Sequence, residues 1–271
     1  MKSPRELSID IKLIDMVDAL GLSEKIMKAL KMLLADEELQ ASQEYANTVS
    51  IIRLGYNDHG PVHMRTVTMN AVIMMELLKK AGIKTSLEAD GCGEFEESLL
   101  AVIIASICHD IGMGMGRQNH EQFSTIIAQP IIDKLLTAVY EDDWHKKVMI
   151  KAVTIEGISG HMGSTSISSL EAGIVQVADG CDMTKGRARI PITLGNINKM
   201  GQIHQYSANS IEEVRITAGN EKPIRIEVCM SSQVGLFQVE EVLMHKIANS
   251  TAKQHIELYA LVAEELPKRY L

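Results

Sequence analysis

The chain has 271 residues, 46% of them hydrophobic and 23% charged, the balance of a folded globular protein with a sizeable core. Its formal net charge of −8 supplies no overall field for nucleic acid or anionic membrane, although a local basic patch can still exist. Four widely spaced cysteines, Cys92, Cys108, Cys181 and Cys229, form no Cys-x-x-Cys pair, so disulfides are not expected and a reducing cytoplasm is.

In chain order, residues 1–58 read as amphipathic helices. Ser23 suits the N-cap of a helix over 24–34, and Asp36-Glu-Glu-Leu starts another. The stretch 55–61, Gly-Tyr-Asn-Asp-His-Gly-Pro, is a break. Pro61 then fits the first turn of a helix that reaches Lys80 and stops at Gly82. Glu94, Glu96 and Glu97 precede a helix over 99–111, apolar almost all round and too short to span a membrane. No secretory leader is expected at the N-terminus. Further helices are expected from Asn119, with Pro130 interrupting or restarting it, over 141–155 and over 166–181. The stretch 186–201 reads as irregular. Beyond about 203 the pattern alternates in two strands, 212–217 and 224–230, joined by a turn at 219–223. A long amphipathic helix over 239–266 follows. The expected fold is therefore mainly α: a helical domain over 1–200 with its core at 50–190, then a small ββα region over 201–271 that packs on the body or builds a homodimer contact.

The greasy 99–108 run ends in His109-Asp110. Burying an imidazole beside a carboxylate is costly unless something satisfies both, and a divalent metal does. Asp179 likewise follows an apolar run, 174–178. His59, His63, His120 and His161 also sit at element boundaries, which can converge at one end of a helical bundle. His59 and His63 are rival first ligands that spacing does not separate. The glycines at 112, 114 and 116 form no phosphate loop, because neither a Gly-Lys-Ser/Thr nor a preceding strand accompanies them.

The ordered set His63, His109-Asp110, Asp179 resembles the HD-domain metal-dependent phosphohydrolases over roughly residues 50–190. His63-Met-Arg-Thr-Val67 is similar to the family's first histidine at a helix start, His109-Asp110-Ile111-Gly112 to its signature, and 185–189, Lys-Gly-Arg-Ala-Arg, to the basic segment after its last aspartate. The resemblance implies an α-helical fold, a metal held by His63, His109, Asp110 and Asp179, and hydrolysis of a phosphate ester. His120 and His161 match the extra ligands of two-metal branches, with Asp110 bridging. The chain departs from the branch that cleaves cyclic dinucleotides: Met113 stands where a lysine is usual, and no Gly-Tyr-Pro follows.

The chemistry fits those residue types. A metal lowers the pKa of water and neutralises a phosphoryl oxygen, and two ions about 3.5–4 Å apart do both at once. Imidazole and carboxylate ligands leave Mn, Fe, Co, Ni, Zn or Mg open. Lys185, Arg187 and Arg189 are expected to contact phosphate. Asp182 or Asp58 is expected to orient a histidine or act as a base. The expected substrate is small, phosphorylated and nucleotide-like; a non-catalytic regulator that binds metal or nucleotide is the alternative.

Overall fold

The computed structural model describes residues 2–185, 202–263 and 265–271. The described residues are mostly helical, with a small four-stranded mixed sheet near the C-terminus. The expected stretch at 186–201 lies outside the described residues.

The first helices are capped as their sequences dictate. In α1, Pro4–Ala19, Ser3 and Glu6 close a reciprocal cap and Pro4 takes the first turn. The α2 helix, Glu24–Ala35, begins after Ser23, whose hydroxyl makes no cap bond; its backbone N–H instead donates to Glu96. In α3, Glu37–Thr48, the Asp36 carboxylate accepts from the Leu39 N–H.

The body is α4 (Pro61–Lys80), a short α5 (Ser86–Ala89), α6 (Phe95–Cys108), α7 (His120–Tyr140), α8 (Trp144–Gly160) and α9 (Leu170–Cys181). The α6 helix lies at its centre against α4, α8 and α9. It begins earlier than expected, with Glu94 and Glu97 as its capping pair, and ends at Cys108, where a 3₁₀ turn, Ile111–Gly114, takes over. With that turn the segment reaches 20 residues, long and apolar enough for a membrane span; 94% of its apolar window is buried inside the protein, the setting of a core helix.

Pro130 does not interrupt α7. It sits on an exposed face, where water can satisfy the carbonyl its ring frees. The helix expected over 141–155 instead begins at Trp144, capped by Asp143, and runs to Gly160. The one expected over 166–181 begins at Leu170 behind a Ser169 cap.

The C-terminal region corrects the sequence reading most. After α10 (Gln202–Ser210), β1 (Ile211–Ala218) pairs antiparallel with β2 (Ile224–Met230) as expected. The supposed helix over 239–266 is three things instead. A π-helical turn, Gln238–Leu243, leads into α11, Met244–Ala248, and the chain then extends as β3, Ile256–Val262. β3 pairs parallel with β2 and antiparallel with β4, Lys268–Arg269, giving the order β1-β2-β3-β4. Both faces of β3 are largely covered, so its sequence is a nearly continuous apolar run without strict alternation. Apolar residues of the sheet and of α11 join the same buried cluster as α4, α6 and α9.

Candidate metal centre

Helix ends build the site. His63 lies in the first turn of α4 and His120 opens α7. His109 and His161 cap the C-terminal ends of α6 and α8, while Asp179 occupies the last turn of α9. Three helix C-termini, each with the negative end of its dipole, thus face one point, a favourable setting for a cation.

Local geometry fixes which nitrogen each histidine presents. His109 Nδ1 lies 2.7 Å from the Ser106 carbonyl and His161 Nδ1 2.7 Å from the Ile158 carbonyl, so each satisfies an orphan carbonyl of the helix it caps. His120 Nδ1 is 2.9 Å from the Arg117 carbonyl, with a Glu121 carboxylate oxygen at 3.1 Å. His63 Nδ1 is 2.6 Å from Asp182 Oδ2. In all four, Nδ1 faces its own acceptor, so Nε2 is the nitrogen turned toward the cluster, the arrangement of metal-ligating histidines.

The four Nε2 atoms converge on two aspartates. His63 Nε2 lies 3.2 Å from His109 Nε2, 3.3 Å from Asp110 Oδ2 and 3.2 Å from Asp179 Oδ1. On the other side, His120 Nε2 lies 3.1 Å from His161 Nε2 and 3.1 Å from Asp110 Oδ1, with His161 Nε2 3.5 Å from that same oxygen. The two oxygens of Asp110 are thus divided between two histidine pairs. Metal–ligand bonds of about 2.1 Å put neighbouring ligands about 3.0–3.4 Å apart in octahedral or tetrahedral geometry. The observed separations match those edges, so the donor set fits a divalent ion on each side of Asp110.

Charge follows the same plan. Burial opposes ionisation of Asp110 and Asp179. Asp110 is nevertheless held well below the usual carboxylate range by His109 and His59, and Asp179 by Lys246 and its bonds from His109 and His63. Burial also opposes charge on His109, but Asp110 and Asp179 outweigh it and raise its pKa. His161 goes the other way. Burial pushes it down, the bond to Asp110 resists, and the charges of His109 and His120 add to burial, leaving it at about 3.

The expected ligands His63, His109, Asp110, His120, His161 and Asp179 are therefore brought together, and Asp182 orients His63. His59 stands beside the group, its ring centroid 5.8 Å from that of His63 and its Nδ1 on the Asn57 carbonyl and the Ser50 hydroxyl. It belongs to none of the three ligand groups the structure forms. Asp58 accepts from the Gly60 N–H in a local turn. Glu156 accepts from Ser168 and Ser169 at the lead into α9. Lys185 is exposed, and Arg187 and Arg189 lie outside the described residues. Cys108 and Cys181 are buried and packed; burial pushes the Cys108 thiol up to about 12 and Cys181 higher still, and neither belongs to the three ligand groups.

Two cations escaped the sequence reading. Lys246, on α11, pairs with Asp179 Oδ2, and its Nζ lies 2.8 Å from the His161 carbonyl oxygen. Arg117 is half-buried three residues before His120; its guanidinium donates to the Met162 sulfur at 3.6 Å and has no carboxylate partner among the described residues. Its position between His109-Asp110 and His120 was the available signal. Lys246 gave none, because it lies in a helix that reads as ordinary and amphipathic.

Gly112 is what lets the two halves meet. A Cβ there would run into the His120 carbonyl oxygen and come within 2.5 Å of the Ser124 N, while the Gly112 N–H donates to the Ser124 hydroxyl at 2.8 Å. Gly112→Ala is expected to push the first turn of α7 outward, costing about 1–3 kcal/mol of stability. It is expected to lower bound Mn²⁺ by one ion per chain, read by elemental analysis of the purified protein.

No family model matches the chain, and no solved structure matches it. It is similar to "Uncharacterized protein MJ1020" of Methanocaldococcus jannaschii, at 39% identity over 235 residues, which is 87% of this chain and 88% of that protein.

Proposed function

Starting from a chain that belongs to the family of the M. jannaschii protein MJ1020, we propose a metal-dependent phosphohydrolase of HD type, acting on a nucleotide or related phosphate ester. The observation that carries this reading is the sharing of Asp110: one oxygen to His63 and His109, the other to His120 and His161. His63, His109, Asp179 and Asp110 Oδ2 would hold one ion, and His120, His161 and Asp110 Oδ1 a second. Such ions supply a Lewis acid for phosphoryl oxygens and acidify water at neutral pH.

The chain's own residues divide the remaining work. Asp182 holds the His63 ring so that its Nε2 faces the centre. All the side chains of the ligand set are buried, Asp179 and Asp182 keeping slightly more exposure than the histidines. Arg117, a half-buried guanidinium with no carboxylate partner among the described residues, is the group suited to grip a substrate phosphate by its planar fork. Arg117→Ala is expected to raise KM for the preferred ester by about tenfold with bound metal unchanged, the loss of roughly one charge-assisted hydrogen bond.

The test is purified protein, stripped of metal and then loaded with Mn²⁺, assayed against nucleoside mono-, di- and triphosphates, cyclic nucleotides and simple phosphomonoesters. Hydrolysis that appears with metal and disappears with chelator is expected. Stoichiometric Mn²⁺ with no turnover of any ester would overturn the enzymatic reading and leave a metal-binding regulator.

A further inference from the structure

Lys246 reaches the centre from the C-terminal region, and its whole approach is built. From Leu243 to Ala252 the chain lies along α9. Leu243 and the Lys246 stem rest on Gly180, and the Lys246 carbonyl accepts from Gln176 Nε2 at 3.1 Å. The Ser250 hydroxyl donates to the Gly173 carbonyl at 3.0 Å and the Thr251 hydroxyl to the Ser169 carbonyl at 2.7 Å. A Cβ on Gly173 would collide with Thr251 Oγ1 and come within 2.7 Å of Ser250 Oγ, so this contact is as close as backbone permits. Lys246 itself is 6% exposed.

We propose that Lys246 is a positioning residue of the metal centre: it occupies Asp179 Oδ2, leaving Oδ1 alone to face the ion, and so sets how tightly the His63–His109–Asp179 group holds metal. The inference rests on reading that group as a metal site, not on what reaction the site performs. The two oxygens of Asp179 are divided as those of Asp110 are. Oδ1 faces His63 at 3.2 Å and His109 at 3.6 Å, while Oδ2 faces the ammonium. The bond from Nζ to the His161 carbonyl keeps the ammonium in place beside both halves of the cluster.

Two consequences of removing the charge oppose each other. Asp179 loses orientation, but freeing one short, packed side chain weakens binding by less than about tenfold. A unit positive charge this close to a cation opposes it by more than that, even with substantial screening. The charge wins, so metal should bind more tightly without the lysine.

The measurement is calorimetric titration of full-length protein with Mn²⁺, comparing wild type with Lys246→Gln, which keeps a donor for the His161 carbonyl. The variant is expected to bind one ion about tenfold or more tightly, with the other unchanged, and to gain more thermal stability from Mn²⁺ than wild type does. If Lys246→Gln does not fold without metal, refolding it in saturating Mn²⁺ reads the same quantity, because the ion supplies the counter-charge Asp179 has lost; rescue supports the assignment and no rescue overturns it. Unchanged or weaker binding in a folded variant overturns it too, since a purely structural lysine would alter stability alone. A wild type that binds no divalent ion overturns the metal site and this assignment together, whereas metal binding without hydrolysis leaves the assignment standing.

Discussion

Asp110→Asn protein is expected to purify folded, to bind no stoichiometric Mn²⁺, and to lose metal-dependent hydrolysis by at least about 10³-fold, the several kcal/mol a catalytic ion contributes. The reason is the shared geometry. Asp110 is the one residue whose two oxygens serve both histidine pairs, so its loss is felt on both sides. An asparagine keeps the shape but not the charge, and it turns an NH₂ toward one pair of Nε2 lone pairs, where an ion needs an acceptor. His161→Ala should instead remove one ion and leave the His63–His109 side loaded. Elemental analysis and circular dichroism on both variants separate loss of ligand from loss of fold. An Asp110→Asn protein carrying two ions would sink the bridging role.

The second large effect is expected far from any ligand atom. Arg65 on α4 is almost fully buried; it donates to Asp10 at 2.7 Å, to Gln43 at 2.9 Å, to Gln40 at 2.9 Å and to the Pro61 carbonyl at 3.2 Å. Gln43 in turn donates to the Ile107 carbonyl at 2.8 Å, in the last turn of α6 just before His109. This chain of bonds ties the helix that carries His63 to the helix end that carries His109, with α1 and α3 as the brace. Arg65→Met strands the Asp10 carboxylate, which among the described residues keeps Lys2 at 2.5 Å as its remaining ion pair. Breaking a buried pair costs about 3–5 kcal/mol, and the remaining lysine puts the expectation near the lower end. For a chain of this size that is a fall in Tm of about 6–12 °C. Mn²⁺ affinity on the His63–His109 side should drop as well, by about tenfold, as for other groups that orient ligands. A melt within a degree or two of wild type would show that the brace is dispensable.

What could be read from the sequence was what repeats locally. The polar pair at the end of an apolar helix, Pro61 at a helix start and the histidines at element boundaries all signal through their immediate neighbours, and all lie where those signals put them. β3 was misread because Glu257, Leu258, Ala260 and Leu261 favour helix when taken alone, and only pairing with β2 on one side and β4 on the other makes the segment extended. Lys246, Arg65 and Gln43 were invisible for a related reason. Their partners are 67, 55 and 64 residues away, and a buried charge looks like a surface charge until its counter-ion is placed.

The parallel pairing of β2 with β3 has a consequence in time. Parallel strands require a crossover, and here the crossover, between Met230 and Ile256, is the stretch that contains Lys246. His63 must also find Asp182, 119 residues later. Contacts of such separation form slowly and after local helices have settled. On the ribosome, α4 and α6 emerge with their histidines long before Asp179, Asp182 and the lysine exist. The His120–His161–Asp110 group is therefore complete in the nascent chain by residue 161, whereas the His63–His109 group waits for Asp179, and Lys246 is the last of these side chains to be made.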